Sequence, residues 1–238
     1  MQTAPICVIL MRIPISSAKG GSLMKENYGL LFEKTVETLR REGRRPRLLL
    51  HACCAPCSSH CLEVLAQDFD ITIFFYNPNI APEREFAFRL SELERFLAAV
   101  PYPDIAVFSP DYDPAPFLAM AKGLEDLPEG GERCRRCYEL RLRRTAEAAR
   151  AGGFDFFTTT LSISPYKNAE WLNEIGLSLA EELGVPWLPS DFKKKNGYKR
   201  SIELSREYDL YRQDYCGCAF SKAERDRKTA ASRPDAPQ

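Results

Sequence analysis

The sequence predicts an α/β fold: a parallel sheet of about five strands with flanking helices, closed by a C-terminal basic and aromatic cap. Two observations carry this expectation. Short runs of β-forming residues alternate with segments of helical period, which is the pattern of βαβ units. The unusual residues, above all the cysteines, follow directly on those runs, where ligands gather in parallel sheets.

Residues 1–24 have no period and contain Ser16-Ser17-Ala18-Lys19-Gly20-Gly21-Ser22, so they read as a loose arm. A leading helix over 28–42 carries Leu30, Leu31, Val36 and Leu39 and stops at Gly43. The apolar run 47–51 is the first strand. It turns through Ala52-Cys53-Cys54-Ala55-Pro56-Cys57-Ser58-Ser59 into a helix reaching residue 67. Residues 70–76 form a second strand and 82–100 a long amphipathic helix. Residues 105–108 form a third strand, 117–122 a short helix, and 128–131 a loop. A helix over 134–150 ends at Gly152-Gly153. A fourth strand over 154–158, a helix over 170–183 and a short fifth strand over 186–189 complete the repeat. Residues 25–220 thus form one α/β metallocluster domain, with 190–220 as the cap and 221–238 as a frayed, disordered tail.

Lysine plus arginine balances aspartate plus glutamate at 33 each, so net charge selects no partner and only local clustering can. The chain is 45% hydrophobic, enough for one full core. Nine cysteines in a chain of 238 residues, with no export signal and no stretch of membrane-spanning length, point to an intracellular metal or redox role in the cytoplasm.

Three cysteine groups stand out: Cys53-Cys54 with Cys57 and Cys61, then Cys134-Arg135-Arg136-Cys137, then Cys216-Gly217-Cys218. The first group sits where a strand opens a helix, and helix N-termini favour thiolate, the form that ligates metal and does redox chemistry. C-x-x-C elements meeting in space suit a structural zinc or an iron–sulfur cluster. Adjacent cysteines sit poorly on one tetrahedral ion but reach two irons, which favours the cluster. Cys216 and Cys218 close only a strained, easily reduced disulfide, or else ligate a second metal. For any single cysteine a plain core role is the default; it suits Cys7 in the arm and Cys61 one turn beyond Cys57. Cys54 and Cys57 alone also read as a thioredoxin-type pair, which leaves the other groups idle.

Six arginines between Arg133 and Arg144, and the run Lys193-Lys194-Lys195 with Lys199 and Arg200, flank the cysteine groups. Phe192, Tyr198, Tyr208, Tyr211 and Tyr215 interleave stacking surfaces, with Arg212 among them. Either charge run alone is an ordinary solvated face; beside redox thiols, with aromatic platforms, the two point to RNA. A zinc-stabilised RNA-binding module and a thiol–disulfide oxidoreductase remain the rival readings.

A specific resemblance emerges from His51-Ala52-Cys53-Cys54-Ala55-Pro56-Cys57, Phe75-Tyr76-Asn77-Pro78-Asn79-Ile80, Glu132-Arg133-Cys134-Arg135-Arg136-Cys137-Tyr138, Phe157-Thr158-Thr159-Thr160-Leu161 with Ile163-Ser164-Pro165, and Asp191 through Tyr211-Arg212-Gln213-Asp214-Tyr215-Cys216-Gly217-Cys218. In this order they resemble the epoxyqueuosine reductase QueH family over residues 26–222. The resemblance implies a sheet of the adenine-nucleotide α-hydrolase (HUP) type and the cobalamin-independent reduction of epoxyqueuosine at the anticodon wobble position of tRNA. It implies a 4Fe-4S cluster held by Cys53, Cys54, Cys134 and Cys137. A neighbouring mononuclear iron, with Cys57 as a further candidate ligand, and a redox-active or second-metal pair, Cys216 and Cys218, go with it. Some relatives carry aspartate where Cys57 stands. The substrate is then tRNA carrying epoxyqueuosine, with an unidentified electron donor and no membrane partner. Candidate proton donors are Tyr215, Asp214 and His51, and the expected RNA contacts are Lys193, Lys194, Lys195, Lys199, Arg200 and Arg212.

Overall fold

A computed structural model of the protein describes residues 26–102 and 104–231; the arm predicted over 1–24 lies outside them. Helix α1 (Tyr28–Arg41) precedes β1 (Arg47–His51), α2 (Ala55–Leu65), β2 (Asp70–Phe74), α3 (Glu83–Ala99) and β3 (Ala106–Phe108). Then come α4 (Ala115–Ala121), α5 (Glu132–Ala151), β4 (Phe156–Thr159), a 3₁₀ turn (Thr160–Ile163), α6 (Ala169–Leu183), α7 (Gly197–Glu207) and α8 (Ala219–Ala231).

The four strands are all parallel, in the order β3-β2-β1-β4. Strand alternation assigns each side chain to one of two cores. Leu48, Leu50, Ile71 and Ile73 face the helices before β3, packing with Val36, Leu62 and Phe96. Leu49, Phe74 and Phe157 face the other way, against Leu142 and Ala146 of α5 and Leu172 and Leu179 of α6. With both faces covered, β1 reads as Leu48-Leu49-Leu50, each at most 2% exposed, and each contributes about 2 kcal/mol by leaving water. The chain runs outward from β1 to β3 and then returns past β1 to β4. The reversal places a crevice at the carboxyl ends of β1 and β4, and the first cysteines follow β1 there.

Two expectations change. The fifth strand shrinks to a single bridge between Phe157 and Trp187. Pro186 and Pro189 have no N–H to offer a ladder, so pairing is limited to Phe157 N–H on the Pro186 carbonyl (3.0 Å) and Leu188 N–H on the Phe157 carbonyl (2.9 Å). Asn173 holds the segment instead, its Oδ1 accepting from Trp187 Nε1 and Ser190 N–H, both at 3.0 Å. Gly176 makes this possible, since a Cβ there would lie 2.2 Å from the Trp187 ring.

The tail expected to fray from residue 221 is instead helix α8 as far as Ala231. Its residues are good helix formers, and Lys222–Asp226 (2.9 Å) and Lys228–Glu224 (2.7 Å) pair at i,i+4. Buried Ser221 and Phe220, over which the Arg133 guanidinium lies at 4.8 Å, fasten it to the body. Residues 232–238 lie outside the described part.

Candidate metal centre

The turn after β1 carries the first thiols. Cys54 caps α2 in an extended conformation, Pro56 occupies the first turn, and Cys57 follows on the same turn. The sulfurs of Cys53, Cys54 and Cys57 lie within 4.8 Å of one another, a group able to hold a metal ion. Cys54 accepts from Gln213 Nε2 at 3.1 Å and lies 3.7 Å from the Cys53 sulfur. Hydrogen bonds from Cys53, Cys57 and Gln213 hold the Cys54 thiol well below the ordinary range. The same sharing, with burial, pushes Cys53 up to about 12 and raises Cys57. Cys61 is fully buried and packs in the core beside Leu62 and Leu65.

The second pair opens α5. Cys134 accepts from Gly130 N–H at 3.3 Å and shares one packed cluster with Cys53 and Cys54. Cys137, a turn further on, packs with Cys218, Phe117 and Ala121, and burial pushes its thiol up to about 12. The first turn of α5 therefore joins the opening thiols to the C-terminal pair. Between Cys216 and Cys218, Gly217 has φ +119°, a value that side chains rarely adopt, and a Cβ there would crowd Arg89 and Ile80 at 3.0 Å. The loop is tied down on both sides: Ala81 N–H donates to the Gly217 carbonyl at 3.0 Å and Arg89 Nη1 to the Cys216 carbonyl at 3.2 Å. All eight described cysteines are free thiols.

Three buried cations surround these sulfurs. Arg89, 1% exposed, is paired with Glu85 at 2.8 Å. Lys167, 8% exposed, lies 3.2 Å from Glu129 and 3.1 Å from the Cys216 sulfur. Arg141, 1% exposed, bonds the Cys137 carbonyl at 3.4 Å and Asn77 Oδ1 at 3.3 Å, with no carboxylate partner among the described residues. Burial alone would lower its pKa; the Cys137, Cys216 and Cys53 sulfurs, one from each group, reverse this and raise it. A guanidinium taken out of water without an anion costs several kcal/mol, roughly, so this one would stabilise anionic charge placed among the sulfurs around it.

Polar atoms without a hydrogen-bond partner gather in the same region. They are Arg89 Nη2, Arg141 Nη2, Gln213 Oε1, Thr160 Oγ1 just past β4, and both side-chain amide atoms of Asn79 beyond β2. Folded chains leave few such atoms. Soft thiolates, cations and unspent donors together fit a polyanionic thiolate-bound metal or cluster.

His51, at the end of β1, is fully buried. Its Nε2 lies 3.1 Å from the Tyr76 carbonyl, which can only accept, so Nε2 carries the hydrogen and Nδ1 accepts from Thr159 Oγ1 at 2.8 Å. Burial first, and Arg141 second, lower its pKa to about 3; it is a neutral structural histidine. The guanidinium groups of Arg89 and Arg225 lie over the Tyr215 ring, 5.4 and 5.2 Å from its centroid. Asp214 is 65% exposed and paired with Arg225.

The charge runs are largely neutralised within the fold. Lys193 pairs with Asp191, Lys195 with Glu33, and Arg200 with Glu63 at 2.7 Å. Arg212 donates to Ser205 Oγ at 3.0 Å and lies over the Tyr198 ring. On α5, Arg136, Arg143 and Arg144 have carboxylate partners, Arg133 and Arg141 are buried, and Arg133 donates to the carbonyls of Leu124, Glu125 and Leu127. Lys194, Lys199 and Arg135 are the exposed members with neither an ion pair nor a side-chain hydrogen bond among the described residues. Of the aromatic residues, Phe192 and Tyr208 pack inward on Phe32 and Phe96, while Tyr211 meets Phe88 at the surface.

Sequence reasoning missed Lys167, Arg89 and Gln213 as neighbours of the thiols. Gln213 stands inside one of the motifs quoted above, and Lys167 two residues beyond another; that was the only signal, since lysine, arginine and glutamine are ordinarily surface residues. No helix among the described residues is long and apolar enough to cross a membrane.

Comparison with known proteins gives a consistent result. A family model described as epoxyqueuosine reductase QueH matches residues 48–224. Proteins named epoxyqueuosine reductase QueH from Staphylococcus epidermidis and Streptococcus pyogenes are 44% and 42% identical, each over 83% of this chain and over 85% and 78% of their own lengths. The protein of that name from Thermotoga maritima is 37% identical over 77% of this chain and 94% of its own.

Proposed function

The chain belongs to the epoxyqueuosine reductase QueH family, and from that premise we propose that it reduces epoxyqueuosine to queuosine at the wobble position of tRNA, in the cytoplasm. Opening an epoxide to an alkene takes two electrons and two protons and releases water. The observation that carries the reading is Arg141: a buried cation with no carboxylate partner among the described residues, held by the neutral Cys137 carbonyl and Asn77 Oδ1 and set among sulfurs from three distant parts of the chain.

Cys53, Cys54, Cys134 and Cys137 hold a 4Fe-4S cluster in this reading, and Cys57, in one tight group with Cys53 and Cys54, serves a neighbouring iron. Such a centre supplies single electrons and a Lewis acid for the epoxide oxygen. Arg141 and Arg89 offset the charge of the thiolates, and their unspent N–H groups remain for an anionic or polar guest. Cys216 and Cys218 together store two electrons and two protons, the number the reaction consumes; epoxide plus two thiols gives alkene, disulfide and water. Tyr215, with two guanidinium groups over its ring, one of them Arg89 that also bonds the Cys216 carbonyl, is nearer this chemistry than Asp214, which is spent on Arg225. Lys194, Lys199 and Arg135 are the cations free to meet RNA phosphate; Lys193, Lys195, Arg200 and Arg212 support it through the shape of the cap.

The test is conversion of epoxyqueuosine in tRNA by protein purified without oxygen, followed by nucleoside mass spectrometry with a low-potential reductant. Conversion by the native chain and none by Cys134→Ala is the expected result. Colourless protein that binds tRNA without converting it would leave a zinc-stabilised RNA-binding module. Full activity in Cys134→Ala would leave a thiol–disulfide oxidoreductase using Cys54 and Cys57.

A further inference from the structure

Among the described residues Lys167 is the only buried lysine. It closes a tight turn in which Lys167 N–H donates to the Ser164 carbonyl at 3.2 Å and Tyr166 N–H to Ser164 Oγ at 3.3 Å. Its Nζ meets Glu129 Oε1 at 3.2 Å and the Cys216 sulfur at 3.1 Å. Neither partner is free to drift. Glu129 N–H donates to Glu224 Oε2 of α8 at 3.0 Å, and Cys216 is fixed by its own N–H on Ser221 Oγ at 3.1 Å and by Arg89 on its carbonyl at 3.2 Å. Among the described residues the other member of the pair has no cation bonded to it: the Cys218 sulfur accepts the Ser221 N–H at 3.3 Å. The two sulfurs are therefore unequal, and Lys167 is the charged side chain bonded to one of them.

We propose that Lys167 is a positioning residue that sets the redox poise of the Cys216–Cys218 pair, bonding the Cys216 sulfur of the dithiol and favouring that form over the disulfide. This rests on the reading of the pair as the reaction's two-electron store. With Cys216 as thiolate beside the ammonium group, joining the two sulfurs releases two electrons and the one proton of the Cys218 thiol; the second proton that the epoxide takes comes from solvent. The ammonium group, which bonded a thiolate, then faces a neutral sulfur and keeps only Glu129 as its anion. A charge-assisted bond to one form and not the other displaces the equilibrium about tenfold or more. The consequence is a disulfide that is readily reduced again after each turnover, suited to a thiol or dithiol electron donor.

The experiment uses the full-length, metal-loaded protein in glutathione buffers of graded ratio, with alkylation to trap thiols and peptide mass spectrometry to count the Cys216–Cys218 disulfide. Lys167→Met is expected to move the equilibrium constant about tenfold toward disulfide, with partial return in Lys167→Arg. Lys167→Met with Glu129→Gln removes both charges of the buried pair, so that a folded variant is in hand if Lys167→Met alone misfolds. An unchanged equilibrium in the folded double variant, or a native chain that forms no disulfide at any ratio, would overturn the proposal. Conversion of epoxyqueuosine by the same samples is read separately. Failure of the native chain to convert would count against the proposed activity, whereas normal conversion with an unmoved equilibrium would count against the role of Lys167 alone.

Discussion

Replacing Arg141 by methionine separates the two jobs its charge does. In the metal-free protein the guanidinium is a buried cation held by two neutral acceptors. Substituting a buried charge by a hydrophobic residue of similar length is neutral to stabilising, by about 1–4 kcal/mol in comparable cases. Against this, Asn77 Oδ1 loses one bond worth about 1 kcal/mol. The net change in the metal-free state is thus near zero or favourable, and at roughly 2–4 °C per kcal/mol the melting temperature stays level or rises by a few degrees. Metal loading has the opposite sign. A positive charge about 6 Å from one unit of anionic charge, at an effective dielectric near 20, is worth roughly 3 kcal/mol, or about a hundredfold in retention. The assay is differential scanning fluorimetry of metal-free samples beside a chelator competition on iron-loaded ones. A metal-free variant destabilised by more than about 3 kcal/mol, with iron held as tightly as in the native chain, would refute the reasoning.

Other outcomes follow from named contacts. Neutralising Lys194, Lys199 and Arg135 together should weaken tRNA binding and flatten its salt dependence by roughly 0.7–0.9 per phosphate lost. Neutralising Lys193 and Lys195, already paired with Asp191 and Glu33, should do much less, and filter binding across salt concentrations distinguishes the sets. Gly176→Ala forces a methyl group into the Trp187 ring and should cost about 2 kcal/mol, read as a melting temperature lower by roughly 4–8 °C. Glu63, which joins α2 to α7, is held below the ordinary carboxylate range by Arg200 and, less strongly, His60. Because its folded pKa is depressed, its contribution is present above the unfolded value near 4.3 and is lost as pH falls through the folded one. Glu63→Gln should therefore cost about 0.5 kcal/mol at neutral pH, with the difference closing in acid, as denaturant titrations at both pH values would show.

The strand-end turn was readable because its residues have few other uses: an apolar run, adjacent thiols, a proline at the helix start. The parallel sheet was readable for the same reason, as Leu48 to Leu50 have no polar face. The fifth strand misled because periodicity does not count N–H groups, and Pro186 and Pro189 remove the ones a ladder needs. The basic runs looked available because their acids come from elsewhere in the chain: Glu33 for Lys195, Glu63 for Arg200, Glu182 for Arg143. The α8 helix was hidden by a composition shared with disordered tails. Arg141 could be seen only as one of six arginines; its isolation from any carboxylate is a property of the fold.

Convergence of sulfur on iron is tested most directly by counting metal and acid-labile sulfide in protein purified without oxygen, for the native chain and for Cys53→Ala, Cys61→Ala and Cys134→Ala. Iron accompanied by sulfide in the native chain and in Cys61→Ala, with both lost from the Cys53 and Cys134 variants, is the predicted result. Zinc without sulfide in the native chain, or undiminished iron in the Cys53 and Cys134 variants, would contradict it.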